Sequence, residues 1–309
     1  MTRAGVPVAG ADLRLRGRTF GPERPLVMAV VNRTPDSFYP AARFDDSGAD
    51  AAVARAAEEG ADLVDLGGVR AGRGPRVDVA EEIARVIPLV ERVRARHPDL
   101  LVSVDTWRAE VARAAARAGA DLINDTWAGH DPALVEVAAE HGVGVVCSHT
   151  GGAAPRTDPL RVAYGAAGDH APGADPLDGV VDDVVATLRA AAARAVSLGV
   201  DPASVLVDPT HDFGKNTWHS LHLVRRTEAV VALGHPTLMA FSRKDFVGES
   251  LGLPVEERLE GTLAATSVAA WLGARVFRAH DVLATRRVLD MVATIRGDLA
   301  PARAVRGLA

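Results

Sequence analysis

Short runs rich in Val, Leu and Ile alternate along the chain with longer Ala-rich segments whose apolar positions recur at helical spacing. The strand candidates are LVMAVVN from Leu26, ADLVDLGG from Ala61, LLVSVDT from Leu100, DLINDTW from Asp121, VGVVCSHT from Val143, SVLVDPT from Ser204, TLMAFS from Thr237 and ARVFRAH from Ala274. Amphipathic stretches such as ADAAVARAAEEG, VAEEIARVIPLVERVRARHP, RAEVARAAARAG and EERLEGTLAATSVAAWLG separate them, and VLATRRVLDMVATIRG closes the set as an eighth helix. Gly60, Gly119, Gly142, Gly199, Gly234 and Gly273 stand where helix C-termini turn left-handed. Near-continuous apolar strands imply burial on both faces. Eight successive β/α units of this size predict an α/β (β/α)8 TIM barrel rather than a two-domain doubly wound sheet. Ahead of the first strand, DLRLRGRTF alternates with period two and predicts a β-hairpin plugging the bottom of the barrel. Residues 151–177 are rich in Gly, Pro and Ala without a period, which predicts a long loop at the active-site face after strand five. The expected division is an N-terminal hairpin and tail over 1–25, a barrel over 26–297 and a C-terminal tail over 298–309.

Composition narrows the partners. With 309 residues, 48% hydrophobic and 24% charged, the chain has a globular composition, and its formal charge of -5 favours neither nucleic acid nor an anionic membrane. The single cysteine, Cys147, excludes an internal disulfide and a Cys-built metal site, as expected in a reducing compartment. No signal-like start or uncharged apolar run of spanning length is seen, so a cytoplasmic location is expected.

In a TIM barrel the chemistry gathers at the C-terminal ends of the strands. Strand one ends in Asn32, strand three in Asp105, strand four in Asn124 and strand six in Asp208; strand seven runs into Ser242-Arg243-Lys244, and strand eight ends Arg278-Ala279-His280. Each has an ordinary structural reading on its own. Asp105-Thr106 suits a helix cap, Asn124-Asp125-Thr126 and Asp208-Pro209 suit turns, Lys244 and Arg278 suit solvent, and His280-Asp281 suits a helix start. Six strand ends converging on one mouth favour a ligand, because desolvation and repulsion among such groups are costly without one. Two carboxylates and an amide match the amidine-like edge of a flat heterocycle. Lys, Arg and His suit a pyrophosphate, and the amide oxygen of Asn32 is a hard ligand for Mg2+. Cys147 lies mid-strand and reads as a small core residue, not a nucleophile. A Schiff-base lysine at Lys244, as in aldolase barrels, is the alternative chemistry.

These residues, in this order, resemble the dihydropteroate synthase family. MAVVNRTPDSFYPAARF resembles the family's first signature, and SVDTWR, DLINDTW, VLVDPTHDFGK, SRKDFVGE, RLEGTLAA and RAHDV continue the likeness over residues 26–297. The resemblance implies condensation of 6-hydroxymethyl-7,8-dihydropterin diphosphate with p-aminobenzoate, releasing pyrophosphate, in a homodimer. It implies that Asn32 ligates Mg2+ and that Asp105, Asn124 and Asp208 hold the pterin. It further implies that Lys244 reaches the pterin ring, that Arg278 and His280 bind the diphosphate, and that Lys244, Arg278 and His280 are the catalytic set.

The second loop departs from that family. Where the family carries Gly-Gly-Glu-Ser-Thr-Arg-Pro-Gly, this chain reads Gly67-Gly68-Val69-Arg70-Ala71-Gly72-Arg73-Gly74, losing the Ser-Thr-Arg-Pro core that helps build the p-aminobenzoate pocket. Arg33 and Tyr39-Pro40-Ala41-Ala42 alter the first loop, and Thr210-His211-Asp212 replace small and apolar residues of the sixth-strand motif. The favoured expectation is a paralogue that keeps the pterin and metal floor but has lost or changed its second substrate. The alternatives are an active synthase with drifted loops, a non-catalytic pterin-binding or regulatory protein, and methyl transfer from a reduced folate. The pair Arg278 and His280 argues against the last, since a methyl donor has no diphosphate to hold.

Overall fold

The computed structural model describes residues 10–33, 46–157, 163–164 and 175–306. Eight parallel strands form the barrel expected from the alternation: β3 (Leu26–Asn32), β4 (Leu63–Gly67), β5 (Leu101–Asp105), β6 (Leu122–Asp125), β7 (Gly144–Ser148), β8 (Val205–Asp208), β9 (Leu238–Met239) and β10 (Val276–Ala279). They pair in sequence from β3 to β8, β10 joins β3 to β9, and a bridge between Val207 and Thr237 completes the ring. The short seventh barrel strand, β9, is the least regular. After it the chain leaves the ladder for a turn in which Arg243 takes a left-handed φ of +54°.

Helices α1 (Asp46–Glu58), α2 (Val79–Arg96), α3 (Ala109–Ala118), α4 (Ala133–His141), α5 (Asp178–Ser197), α6 (Thr217–Arg225), α7 (Thr227–Val231), α8 (Asp245–Leu251), α9 (Leu259–Trp271) and α10 (Val282–Arg296) cover the outside. The expected C-terminal glycines do their work, as at Gly119 (φ +104°), whose N–H returns to Ala115 and Ala116. Among the described residues no helix is long and apolar enough to cross a membrane. Much of the loop expected over 151–177, and Tyr39 to Ala42 of the first loop, lie outside the described residues.

Because strand side chains alternate with period two, each barrel strand serves two cores. Outward residues such as Val27, Val64, Val102, Ile123, Val145 and Phe277 pack beneath the helices. Inward residues Met28, Leu63, Leu101, Leu122, Val146, Leu206, Leu238 and Val276 fill the lower barrel. The N-terminal hairpin of β1 (Leu13–Leu15) and β2 (Arg18–Phe20) plugs that end, with Leu13 and Leu15 joining the lower core. Its two-residue turn, Arg16 and Gly17, has positive φ at both positions, matching the twist of a tight hairpin.

The plug should matter for stability. Leu15→Ala removes a side chain that is 2% exposed and packs against the Gly144 backbone, and it is expected to cost about 2–5 kcal/mol in urea unfolding. A loss under about 1 kcal/mol would mean that the hairpin only rests on the barrel.

Candidate active site

Two residues above the apolar floor, the same inward-facing positions turn polar. Leu63 is followed by Asp65, Leu101 by Ser103, Leu122 by Asn124, Leu206 by Asp208 and Val276 by Arg278. Asp65 is fully buried and sits at the centre of this layer. It accepts from Ser103 Oγ at 2.6 Å, Asn124 Nδ2 at 3.0 Å and Arg278 Nε at 2.6 Å. Arg278 Nη2 reaches on to Asp105 at 3.0 Å, and the other Asp105 oxygen accepts from Thr126 Oγ1 at 2.9 Å. A buried carboxylate is tolerable only when paired and hydrogen-bonded, and this network meets both conditions. Burial nevertheless pushes Asp105 up to about 7, with Arg278 pulling the other way and Asp65 adding to the rise.

All seven predicted site residues, Asn32, Asp105, Asn124, Asp208, Lys244, Arg278 and His280, line one cavity of about 580 Å³ at the barrel mouth. The ordinary structural readings of the strand ends hold in part: Asp281 is the N-cap of α10 and turns follow Asn124 and Asp208, whereas Lys244 and Arg278 turn into the cavity instead of solvent. Asp105 caps no helix, and the cap oxygen for the Ala109 N–H comes from Asp131 at 2.8 Å. In the β6 turn it is Asp125, not Asn124, that accepts from the Trp127 and Gly129 amides. Asp208 does make a turn bond, accepting from the Thr210 N–H at 2.7 Å through Oδ1, while Oδ2 is left to the cavity. Burial raises its carboxyl, and the Lys244 charge opposes the rise.

Lys244 immediately precedes α8, and its ammonium turns inward to donate to the His211 carbonyl over the face of Phe213, 5.1 Å away. Trp127 meets Phe213 edge to face at 5.2 Å, so two aromatic rings form one wall of the cavity. Asn32 ends β3 with Oδ1 against Gly67, where an added Cβ would lie 2.8 Å from that oxygen. His280 donates its backbone N–H to Ser242 Oγ at 3.1 Å, and burial lowers its imidazole to about 4, helped by Arg278. Val69, Arg70, Ala71, Gly72 and Arg73 of the divergent loop line the same cavity, the Arg70 guanidinium folding back over Gly72.

Sequence reasoning missed Asp65, Lys215 and the aromatic wall. Asp65 carried a signal, an aspartate between Leu63 and Leu66 on an otherwise apolar strand. Lys215 acts through backbone carbonyls of loops, where residue type says little about contacts.

The fold and this mouth define a parallel (β/α)8 barrel with its polar side chains gathered at the C-terminal ends of the strands. The model of a family described as pterin binding enzyme matches residues 28–280, and the chain belongs to that family. It is 60% identical over 296 residues to a Mycobacterium leprae protein named inactive dihydropteroate synthase 2, spanning 96% of this chain and 99% of that one. It is 36% identical to the dihydropteroate synthase of Bacillus subtilis, over 87% of this chain and 88% of that one. A Coxiella burnetii dihydropteroate synthase solved with pteroic acid superposes with a TM-score of 0.79 at 30% identity, covering 93% of this chain and 98% of that one. This is therefore a dihydropteroate synthase-like protein of the pterin-binding family.

The electrostatics of His280 in the mouth, and of His149 just after β7, can be checked directly. Burial holds His149 and His280 at about 4, so both rings stay neutral through pH 5 while unfolded histidines protonate near 6.5. Each therefore withdraws stability as pH falls from about 6.5 towards 4, the unfolded chain binding the extra proton. NMR titration of the ring carbons should show both midpoints below pH 5. Midpoints near 6.5 would contradict the burial of these two rings.

Proposed function

We propose that the cavity binds the pterin of a pterin diphosphate and that condensation with p-aminobenzoate is weak or lost. The observation that carries the first half is the acceptor pattern of the floor. Asp208 Oδ2 and the oxygen of Asn124, whose nitrogen is held by Asp65, offer acceptors to a heterocycle edge rich in N–H groups. Lys244 supplies the complementary donor, and Trp127 and Phe213 supply an aromatic wall.

Arg278 and His280 stand where a diphosphate would leave the barrel. In the family reaction the amine lone pair forms a C–N bond to the methylene carbon as the C–O bond to diphosphate breaks. Cationic groups at the leaving oxygen stabilise the departing charge, and no strong base is required. A neutral His280 takes up a proton when an anion binds beside it, so diphosphate affinity should rise as pH falls from 7 towards 5.

For Mg2+ the end of β3 offers the amide oxygen of Asn32, and no cluster of three or more His, Cys, Asp or Glu suited to a metal occurs among the described residues. That donor set fits an ion carried in by the diphosphate, with Asn32 as its protein ligand and the ion offsetting phosphate charge. Chelation by EDTA should then weaken binding of the pterin diphosphate and leave that of the pterin alcohol unchanged.

The second half of the proposal rests on the loop. A carboxylate-bearing aniline needs a cation in register, and Arg70 and Arg73 stand at other positions than the arginine of the family motif. The name of the Mycobacterium leprae relative supports the same reading. We further infer a homodimer. Val268, Trp271, Met291 and Ile295 of neighbouring α9 and α10 are exposed, and gathered apolar side chains favour a second copy. A monomer at every concentration in sedimentation velocity would contradict this. A cytoplasmic site of action fits the lone cysteine, and fractionation of cells tests it.

Asp208→Ala should lower pterin affinity by about 1.5–3 kcal/mol in calorimetry, and equal binding by the variant would refute the assignment. Rebuilding Val69 to Gly74 as Glu-Ser-Thr-Arg-Pro-Gly should raise dihydropteroate formation by roughly tenfold or more. No gain would place the lesion elsewhere in the mouth.

A further inference from the structure

The chain contains 33 arginines and two lysines, Lys215 and Lys244. Arginine thus fills every other cationic position, and the two lysines mark places where a planar five-donor fork does not serve. Lys244 lines the cavity, whereas Lys215 does not, although it is 2% exposed and lies directly behind it. Its ammonium donates to three backbone carbonyls, those of His149 at 2.8 Å, Phe213 at 3.0 Å and Thr210 at 3.1 Å. An ammonium has three N–H donors, so this cage uses all of them.

The cage closes an unusual turn. Thr210, Asp212 and Gly214 all adopt left-handed backbone, with φ of +50°, +68° and +63°. For a β-branched residue such as Thr210 that conformation is strained and persists only when its surroundings over-determine it. The surroundings here are the β7 loop, whose His149 N–H donates to Thr210 Oγ1 at 3.3 Å, and whose Thr150 carbonyl would lie 2.2 Å from a Cβ added to Gly214. Lys215 bonds to both loops at once.

One residue, Thr210, links this cage to the pocket. The carbonyl of Thr210 accepts from Lys215, and the N–H of Thr210 donates to Asp208 Oδ1 at 2.7 Å. We propose that Lys215 is a positioning residue for Asp208: it fixes the Thr210 turn, which holds one carboxylate oxygen and leaves the other facing the ligand. This rests on the pterin reading of the cavity. The cage also explains why arginine is absent here, since a guanidinium fork cannot direct its donors at three carbonyls gathered around one nitrogen.

The test is a double-mutant cycle on the full chain, read by calorimetry with 6-hydroxymethylpterin as the probe. Lys215→Met should weaken binding about tenfold in the wild-type background and by less than about twofold on top of Asp208→Ala. An equal loss in both backgrounds would overturn the proposal, because Lys215 would then act on the fold and not on Asp208. Failure of the wild type to bind the probe would instead refute the pterin reading, and a ligand-free arm keeps the two apart. Protein labelled with 15N-lysine carries only two side-chain signals, and the Lys215 ammonium should be visible at pH 6 as slowly exchanging protons. Rapid exchange of that ammonium with water in the wild type would overturn the cage itself, whether or not Lys215→Met folds.

Discussion

The mouth of this barrel depends on one constraint, the pairing of charge inside a closed parallel sheet. Asp65 is buried on an inward-facing strand position, where an unpaired carboxylate would be prohibitively costly. Arg278 answers it and at the same time reaches Asp105, while Asn124 and Ser103 complete its hydrogen bonds. Four strands are thereby tied by side chains as well as by their ladders. The consequence is a rigid floor in which the oxygen of Asn124 and the outer oxygen of Asp208 are oriented before any ligand arrives, which is how a site limits the entropic cost of binding.

The rim is built differently. The residues from Val69 to Arg73 line the cavity without entering a strand or helix, and no hydrogen bond or ion pair ties the Arg70 or Arg73 side chain to the described residues. Substitution is inexpensive in such a loop and expensive in the floor, because only the floor carries paired buried charge. A chain of this kind can thus keep recognition of one substrate while losing alignment of the other. On the function proposed above, the two halves of the family reaction rest on parts of the structure with different tolerance to change.

Much of this was legible in the sequence. The alternation of strands and helices predicted the barrel, the period-two run ahead of Leu26 predicted the hairpin that carries Leu13 and Leu15, and the polar strand ends predicted seven residues that share one cavity. What escaped was tertiary. Asp65 lies two residues before the end of β4, so a search of strand ends passes over it, and its partners come from β5, β6 and β10. Lys215 follows a glycine in a turn, and its role depends on three carbonyls brought together by two loops. Neither arrangement has a local pattern, because the contacts span up to 213 residues of sequence.

The most direct measurement of the central claim is pyrophosphate release from the pterin diphosphate with p-aminobenzoate, run beside calorimetric binding of the same pterin diphosphate to the same preparation. A retained floor beneath a displaced rim predicts saturable binding with turnover far below about 1 per second. Turnover at or above roughly 1 per second would show that the altered loop still aligns the amine, and absence of binding would show that the floor no longer recognises a pterin.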